Sequence, residues 1–342
     1  MKLSIVELAT IKDGGGATDA LHHAVETARY ADALGFHRIW FAEHHMAPSQ
    51  ASHHPELLIA AAAALTKGIR LGSGAVLLNH YSPFKVAEMF KQLEAMYPGR
   101  IDLGIGRATA GPMIDVALKR DRQSRSVDDY GAQLSEVIAW LHNAFPDGHP
   151  FADKPLMPSV ESNPEAWLLG SSPGGAQFAA QLGIGYSFAG FINPPAAAMA
   201  LQSYRRHFTP TQFGAGAPQA MLGVNVSVGE TDEEGERLAS SVKGYYARLR
   251  RIGGGAMVPS IEDAAREMRA DERDEPTAII SGRWPRFVAG GPPRVRDTLL
   301  QMAEESGADE IIVQNMIADP RDRRRSHELL ARAFDLPARD VS

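Results

Sequence analysis

Eight times along the chain a short apolar run is followed by an amphipathic helical stretch, and this alternation limits the possible folds more than any other feature. The runs fall at 3–8, 38–41, 70–78, 101–105, 166–169, 185–189, 221–228 and 310–314. Between them lie stretches of 3.6-residue periodicity. In the first, Leu21, Val25, Ala28, Ala31 and Leu34 recur on one face and Gly35 supplies a stop. The other helical stretches are expected at 55–66, 82–97, 127–143, 174–182, 194–208, 232–251 and 319–334. Strands that alternate with helices call for a parallel sheet covered on the outside, and eight repeats suit closure into a (β/α)8 TIM barrel. An open, doubly wound sheet shares the same pattern. The expectation is one domain over 1–342, broken only at about 253–293, where Gly253-Gly254-Gly255, a charged run at 265–275 and Gly290-Gly291-Pro292-Pro293 disturb the rhythm. An insertion between the seventh and eighth strands would overhang the catalytic end of a barrel, as a lid or as a plain surface loop.

Composition excludes several classes of function. With 342 residues, 44% of them hydrophobic, the chain can bury a large core. It has no cysteine, so disulfides, thiolate metal sites and a cysteine nucleophile are ruled out. A net charge of −6 offers nothing to nucleic acid or an anionic membrane, and the basic run Arg321–Arg325 contains an acid and reads as a solvated helix face. The first residues lack the long apolar core of a signal peptide, and the apolar stretch 57–65 is too short to span a bilayer. A cytoplasmic location is expected.

In a barrel, function gathers where strands meet the loops at their carboxyl ends. Four such places carry unusual residues. Trp40-Phe41-Ala42-Glu43-His44-His45 ends the second strand and offers a carboxylate and two imidazoles for proton transfer, or one buried histidine bonded to Glu43. A metal site is disfavoured, because neighbouring residues on extended chain point to opposite sides and no His-Glu-x-x-His helix is present. Leu71-Gly72-Ser73-Gly74-Ala75-Val76 puts two glycines inside a strand, which suits either tight barrel packing or a flat ring lying on bare backbone. Gly104-Ile105-Gly106-Arg107 after the fourth strand suits a phosphate, with Arg125 as a second cation. Its spacing is wrong for a dinucleotide fingerprint. Gly170-Ser171-Ser172 precedes a helix and is either an anion site or an ordinary N-cap. Together they suggest a phosphorylated aromatic cofactor.

These same segments, with Pro98-Gly99-Arg100-Ile101-Asp102-Leu103, Gly291-Pro292 and Ser306-Gly307-Ala308-Asp309-Glu310, closely resemble the bacterial-luciferase-like, flavin-dependent monooxygenases over nearly the whole chain. The resemblance implies that His44 is an active-site histidine beside the flavin, with Glu43 an acid next to it. It also implies a non-proline cis peptide at Gly74-Ala75 under the flavin ring, phosphate contacts from Arg107 and Arg125, and a phosphate loop at Gly170, Ser171 and Ser172. Gly106 stands where bacterial luciferase has a reactive cysteine, and Ser171 where it has an acid, which points away from light emission.

The function so implied is oxidation of a small organic molecule by O2 and reduced FMN, with His44 as acid, base or hydrogen-bond donor. The resemblance further implies a homodimer and, since no nicotinamide domain is evident, a separate flavin reductase. Rival readings are a dehydrogenase or reductase that uses the deazaflavin F420, a flavin-binding protein without turnover and, more remotely, a metal-dependent hydrolase.

Overall fold

The computed structural model describes residues 1–108, 111–119 and 129–341. Strands form where the apolar runs predicted them: β1 (Lys2–Glu7), β2 (Arg38–Phe41), β3 (Arg70–Ser73), β4 (Val76–Leu77), β5 (Ile101–Gly106), β6 (Glu165–Gly170), β7 (Gly185–Ala189), β8 (Ala220–Val228), β9 (Phe287–Gly290) and β10 (Glu310–Gln314). Every pairing between them is parallel. The order runs β1-β2-β3-β5-β6-β7-β8, with β4 beside β5, and β10 closes the circle by pairing with both β1 and β8. Counting β3 and β4 as the halves of one strand, eight strands form a closed (β/α)8 barrel, as the alternation predicted.

The helices are α1 (Ala17–Leu34), α2 (Pro55–Ala63), α3 (Pro83–Met96), α4 (Pro112–Leu118), α5 (Tyr130–His142), α6 (Pro173–Leu182), α7 (Pro194–His207), α8 (Asp232–Ile252), α9 (Ile261–Glu267), α10 (Ala270–Arg273), α11 (Pro292–Ser306) and α12 (Pro320–Ala333). Proline opens α2, α3, α6, α7, α11 and α12, where its missing N–H removes no helical hydrogen bond. Left-handed Gly35 and Gly307 stop α1 and α11. No helix among the described residues is long and apolar enough to cross a membrane.

Inward-facing side chains fill the barrel in layers. At the amino end, Arg38 is fully buried: its guanidinium donates to Asp102 (2.7 Å) and, through two nitrogens, to Glu310 (2.9 and 3.2 Å). It also lies 4.7 Å from the Trp167 ring centre. Burial alone would raise the Asp102 carboxyl, but Arg38 and Arg70 outweigh it and hold the group below the usual range. Above this charged floor sits an apolar layer of Val6, Trp40, Trp167, Met221 and Ile312, with the two indoles edge to face at 5.5 Å.

Two elements differ from the sequence reading. The single run at 70–78 is two strands, because the chain breaks at Gly74-Ala75. Between the seventh and eighth barrel strands, the region at 253–293 holds η-turn Gly253–Gly255, α9, α10 and strand β9, followed by α11, an unforeseen helix. α11 packs between α7 and α12 in the outer ring. Helix α8, expected to be the ring helix, instead packs on β9, α9 and the upper half of β8. β8 is nine residues long: Met221–Asn225 pairs with β10, and Asn225–Val228 carries β9. The excursion has its own core of Ala239, Val242, Tyr245, Ala256, Val258, Phe287, Ala289, Met316 and Ala318. It rests on the loops at the carboxyl end of the barrel. Asp13 N–H donates to Val258 O (2.8 Å), and Arg248 bridges Asp13 (3.0 Å) and Glu267 (2.7 Å).

Candidate active site

The loop after β2 is fixed through Glu43, whose side chain is buried at 3% exposure. One carboxylate oxygen accepts from the Tyr81 hydroxyl (2.9 Å) and from His45 Nε2 (2.8 Å), and the other from the Leu77 N–H (3.0 Å). Glu43 therefore clasps the β2 loop to the strand segment just past the break in β3/β4, and both of its oxygens are engaged. Its neighbour His44 is held by its backbone: its N–H donates to Ser52 O (3.0 Å), and its carbonyl accepts from His53 Nδ1 (2.6 Å). The side chain is different. His44 Nδ1 is buried and makes no hydrogen bond. Burial, helped by the neighbouring His45 and His53, pushes the imidazole down to about 4, so it is neutral at physiological pH.

The Gly74–Ala75 peptide is cis, as the resemblance implied. Gly74 lines two cavities at once. One, of about 170 Å³, is bounded by Glu43, His44, His45, Ala47, Ala75, Leu77 and Ala108. The other, of about 40 Å³, opens over the barrel's apolar layer between Val6, Trp40, Leu169, Phe191 and Ile312. A side chain at Gly74 would place its Cβ 3.0 Å from Trp40 Cβ and 3.3 Å from Val6 Cγ2. Gly72 serves packing, since a Cβ there would lie 2.6 Å from Asp102, and Gly74 leaves its backbone bare where the two cavities meet. Gly106 serves the same bulge from β5: its Cβ would come within 2.9 Å of Ala75.

The residues expected to bind an anion are placed less completely. Arg107 follows β5 with its guanidinium 5.8 Å from the Tyr130 ring at the start of α5. Arg125 lies outside the described residues. Gly170 ends β6, and Ser171 and Ser172 lead into α6. Ser172 occupies the N-cap position, yet its hydroxyl makes no capping bond. The backbone carbonyls of both serines are tied down, Ser171 by Asn193 Nδ2 (3.2 Å) and Ser172 by the Tyr186 hydroxyl (3.1 Å). A fixed loop with its hydroxyls free of capping suits an anion at the helix N-terminus. Among the described residues no group of three or more His, Asp or Glu side chains could hold a metal ion.

A closed parallel barrel with a cis Gly-Ala bulge and a histidine with a buried ring nitrogen on the wall of one cavity is the setting for the comparison with known proteins. The family model described as luciferase-like monooxygenase matches residues 1–310. The chain belongs to the luciferase-like monooxygenases. Uncharacterized protein YceB of Bacillus subtilis is 39% identical over 335 residues, 97% of this chain and 99% of that one. N-acetyl-S-alkylcysteine monooxygenase of the same organism is 33% identical over 333 residues, 97% and 98% of the two chains. Among solved structures, apo-MsnO8 is 42% identical and superposes with a TM-score of 0.89 over 99% of both chains. Two more distant structures share the fold alone. They are the FMN-bound oxygenating component of 3,6-diketocamphane monooxygenase (21%, TM-score 0.71) and an F420-dependent secondary alcohol dehydrogenase (16%, TM-score 0.65), each matched over at least 97% of both chains.

For this luciferase-like monooxygenase, sequence reasoning located the β2 loop and the glycine bulge but missed most of the cavity wall. Val6, Leu169, Ser187, Gly223 and Ile312 lie on five strands, and each is an ordinary residue in its own run. The inward phase of each strand was the signal that could have found them. Ala189 and Phe191 line the cavity, while Phe188 faces outward into the main core.

Proposed function

We propose that this chain is a monooxygenase using reduced FMN and O2, with the flavin ring against Gly74-Ala75 and His44 beside it. The observation that carries the reading is the pairing of a bare backbone cradle at Gly74 with a buried, unpartnered imidazole nitrogen on His44, both on the wall of one cavity. A flat heteroaromatic ring fits such a cradle, and its polar edge would give His44 Nδ1 the partner it lacks. Arg107, Arg125, Gly170, Ser171 and Ser172 would hold the phosphate. When bound, reduced flavin supplies two electrons, so that one atom of O2 enters the substrate and the other leaves as water.

The rest belongs to the protein's own groups. A neutral His44 donates a hydrogen bond from one ring nitrogen and accepts one at the other without the cost of a buried charge, and as a base it would take up a proton only transiently, because burial penalises the imidazolium. Glu43 spends its hydrogen bonds on Tyr81, His45 and Leu77, which fixes the loop carrying His44 and places Glu43 in a positioning role. The apolar layer under the cavity keeps water from the ring's lower side. A separate reductase would deliver the reduced flavin. The monooxygenase homologue named for N-acetyl-S-alkylcysteines makes an S-alkylated N-acetylcysteine the first substrate to try.

Two measurements test this. Fluorescence titration should show binding of FMN but not of F420. Turnover under 18O2 with a flavin reductase should place one labelled atom in the product. Selective F420 binding, with hydride transfer and no labelled oxygen, would assign the chain to the dehydrogenase reading. Flavin binding with no product across the panel would leave it a carrier.

A further inference from the structure

At the carboxyl ends of β8 and β10 the structure holds a polar group to which the reading above gives no task. Gly223 and Ile312 line the cavity over the barrel's apolar layer. Two residues further along the same strand faces stand Asn225 and Gln314, register partners across β8 and β10 and both buried, at 2% and 5% exposure. The Tyr246 hydroxyl of α8 is turned toward both amides, and burial raises its pKa, so it stays a protonated donor. The Arg286 guanidinium lies 5.4 Å from the Tyr246 ring centre, and among the described residues it makes no hydrogen bond and no ion pair. Asn225 Oδ1 is buried and makes no hydrogen bond either, although the Asn225 amide nitrogen is tied to the Arg286 carbonyl (3.4 Å).

A half-buried arginine without a carboxylate, beside a fully buried amide oxygen without a donor, is incomplete as a piece of core. Both deficits are met by one kind of ligand. We infer that Arg286, Tyr246, Asn225 and Gln314 form a substrate subsite that takes a carboxylate with an N–H or O–H donor one or two atoms away. The guanidinium and the Tyr246 hydroxyl bind the anion, and Asn225 Oδ1 accepts from the adjacent donor. This arrangement anchors the acid end of the substrate at the excursion and directs the remainder across the mouth toward Gly74 and His44. The inference rests on the mouth being where substrate meets flavin, and it explains why α8 leaves the outer ring to lie above β8: it brings Tyr246 there.

Binding of three probes of equal length to the full chain tests the assignment: hexanoate, hexanamide and 2-hydroxyhexanoate, followed by calorimetry and ligand-detected NMR without flavin. Hexanoate is expected to bind at least tenfold more tightly than hexanamide, and 2-hydroxyhexanoate more tightly still. Arg286→Ala should abolish the preference for the acid, and Asn225→Ala should remove only the gain from the hydroxyl. Arg283→Ala, a nearby exposed arginine, should change neither. Equal binding of acid and amide, a preference that survives Arg286→Ala, or one lost equally in Arg283→Ala overturns the proposal. So does a fivefold or larger fall in FMN affinity in Arg286→Ala with riboflavin affinity unchanged, which would make the anion the flavin's own phosphate. Failure of the protein to bind any flavin, with the acid preference intact, would instead count against the cofactor reading alone.

Discussion

His44 suits the proposed chemistry because of what it does not touch. Its backbone is held by Ser52 and His53 while its buried Nδ1 is left without a partner. With the folded imidazole lowered to about 4 from the usual 6.5, the unfolded chain binds a proton between those values that the folded chain does not. His44 therefore contributes its full share of stability above about pH 6.5, and that share falls as pH drops toward 4. The His44 ring signals in an NMR titration should stay flat from pH 8 to 5.5, and a midpoint near 6.5 would contradict the buried neutral ring. His44→Ala is expected to keep flavin affinity and to lower turnover by roughly a hundredfold or more, the usual range for a lost proton-transfer group. The two glycines of β3 make a paired test. Gly72→Ala drives a Cβ into Asp102 and Trp40 and should lower the melting temperature. Gly74→Ala sets its Cβ 3.0 Å from Trp40 Cβ, a milder crowding than at Gly72, and should weaken flavin binding by about tenfold, with a smaller loss of stability. The reverse order of effects would place the ring elsewhere.

At the scale of elements, stability and chemistry occupy opposite ends of the same strands. Arg38 begins β2 and neutralises Asp102 and Glu310 in the barrel floor, whereas four residues of strand later the chain reaches Glu43 and His44 at the mouth. Arg38→Met would leave Glu310 without its cation and Asp102 with Arg70 alone, and the loss measured by urea unfolding should be about 3–5 kcal/mol. A loss under about 1 kcal/mol would mean that the floor is wetter than its burial indicates. The strands were legible because each is a short run of apolar residues between turn signals, and the β2 loop because a carboxylate beside two imidazoles is rare chemistry. The break at Gly74-Ala75 was legible only through the family resemblance, since 70–78 reads as one strand by apolar content. β9 and α11 were missed for a physical reason: Phe287–Gly290 is four residues flanked by Pro285 and Gly291-Pro292, and turn residues on both sides mask so short a run. α8 was misplaced because its amphipathic face is the same whether it covers the outer ring or the top of β8. Periodicity tells which face is buried, but not against what.

The molecule as a whole is a closed barrel that carries a second small core on its carboxyl end. The Asp13–Arg248–Glu267 bridge joins the two near the entrance, and its arginine is mostly buried while its acids are half exposed. Arg248→Ala should speed amide hydrogen exchange in α8 and α9 while the barrel strands keep their protection, because the excursion's core is separate from the main one. Uniform loss of protection would show that the two cores unfold as one. On the proposed function, the flavin cradle would lie in β2, β3 and β5 and the substrate contacts in the excursion attached to β8. The account stands on where the flavin ring lies. A crystal structure of the protein soaked with FMN is expected to show the ring against Gly74-Ala75, with His44 Nδ1 in contact with its polar edge and the phosphate at Arg107 and Ser171-Ser172. FMN bound anywhere else, or a ring at the cradle with His44 turned away from it, would contradict that account.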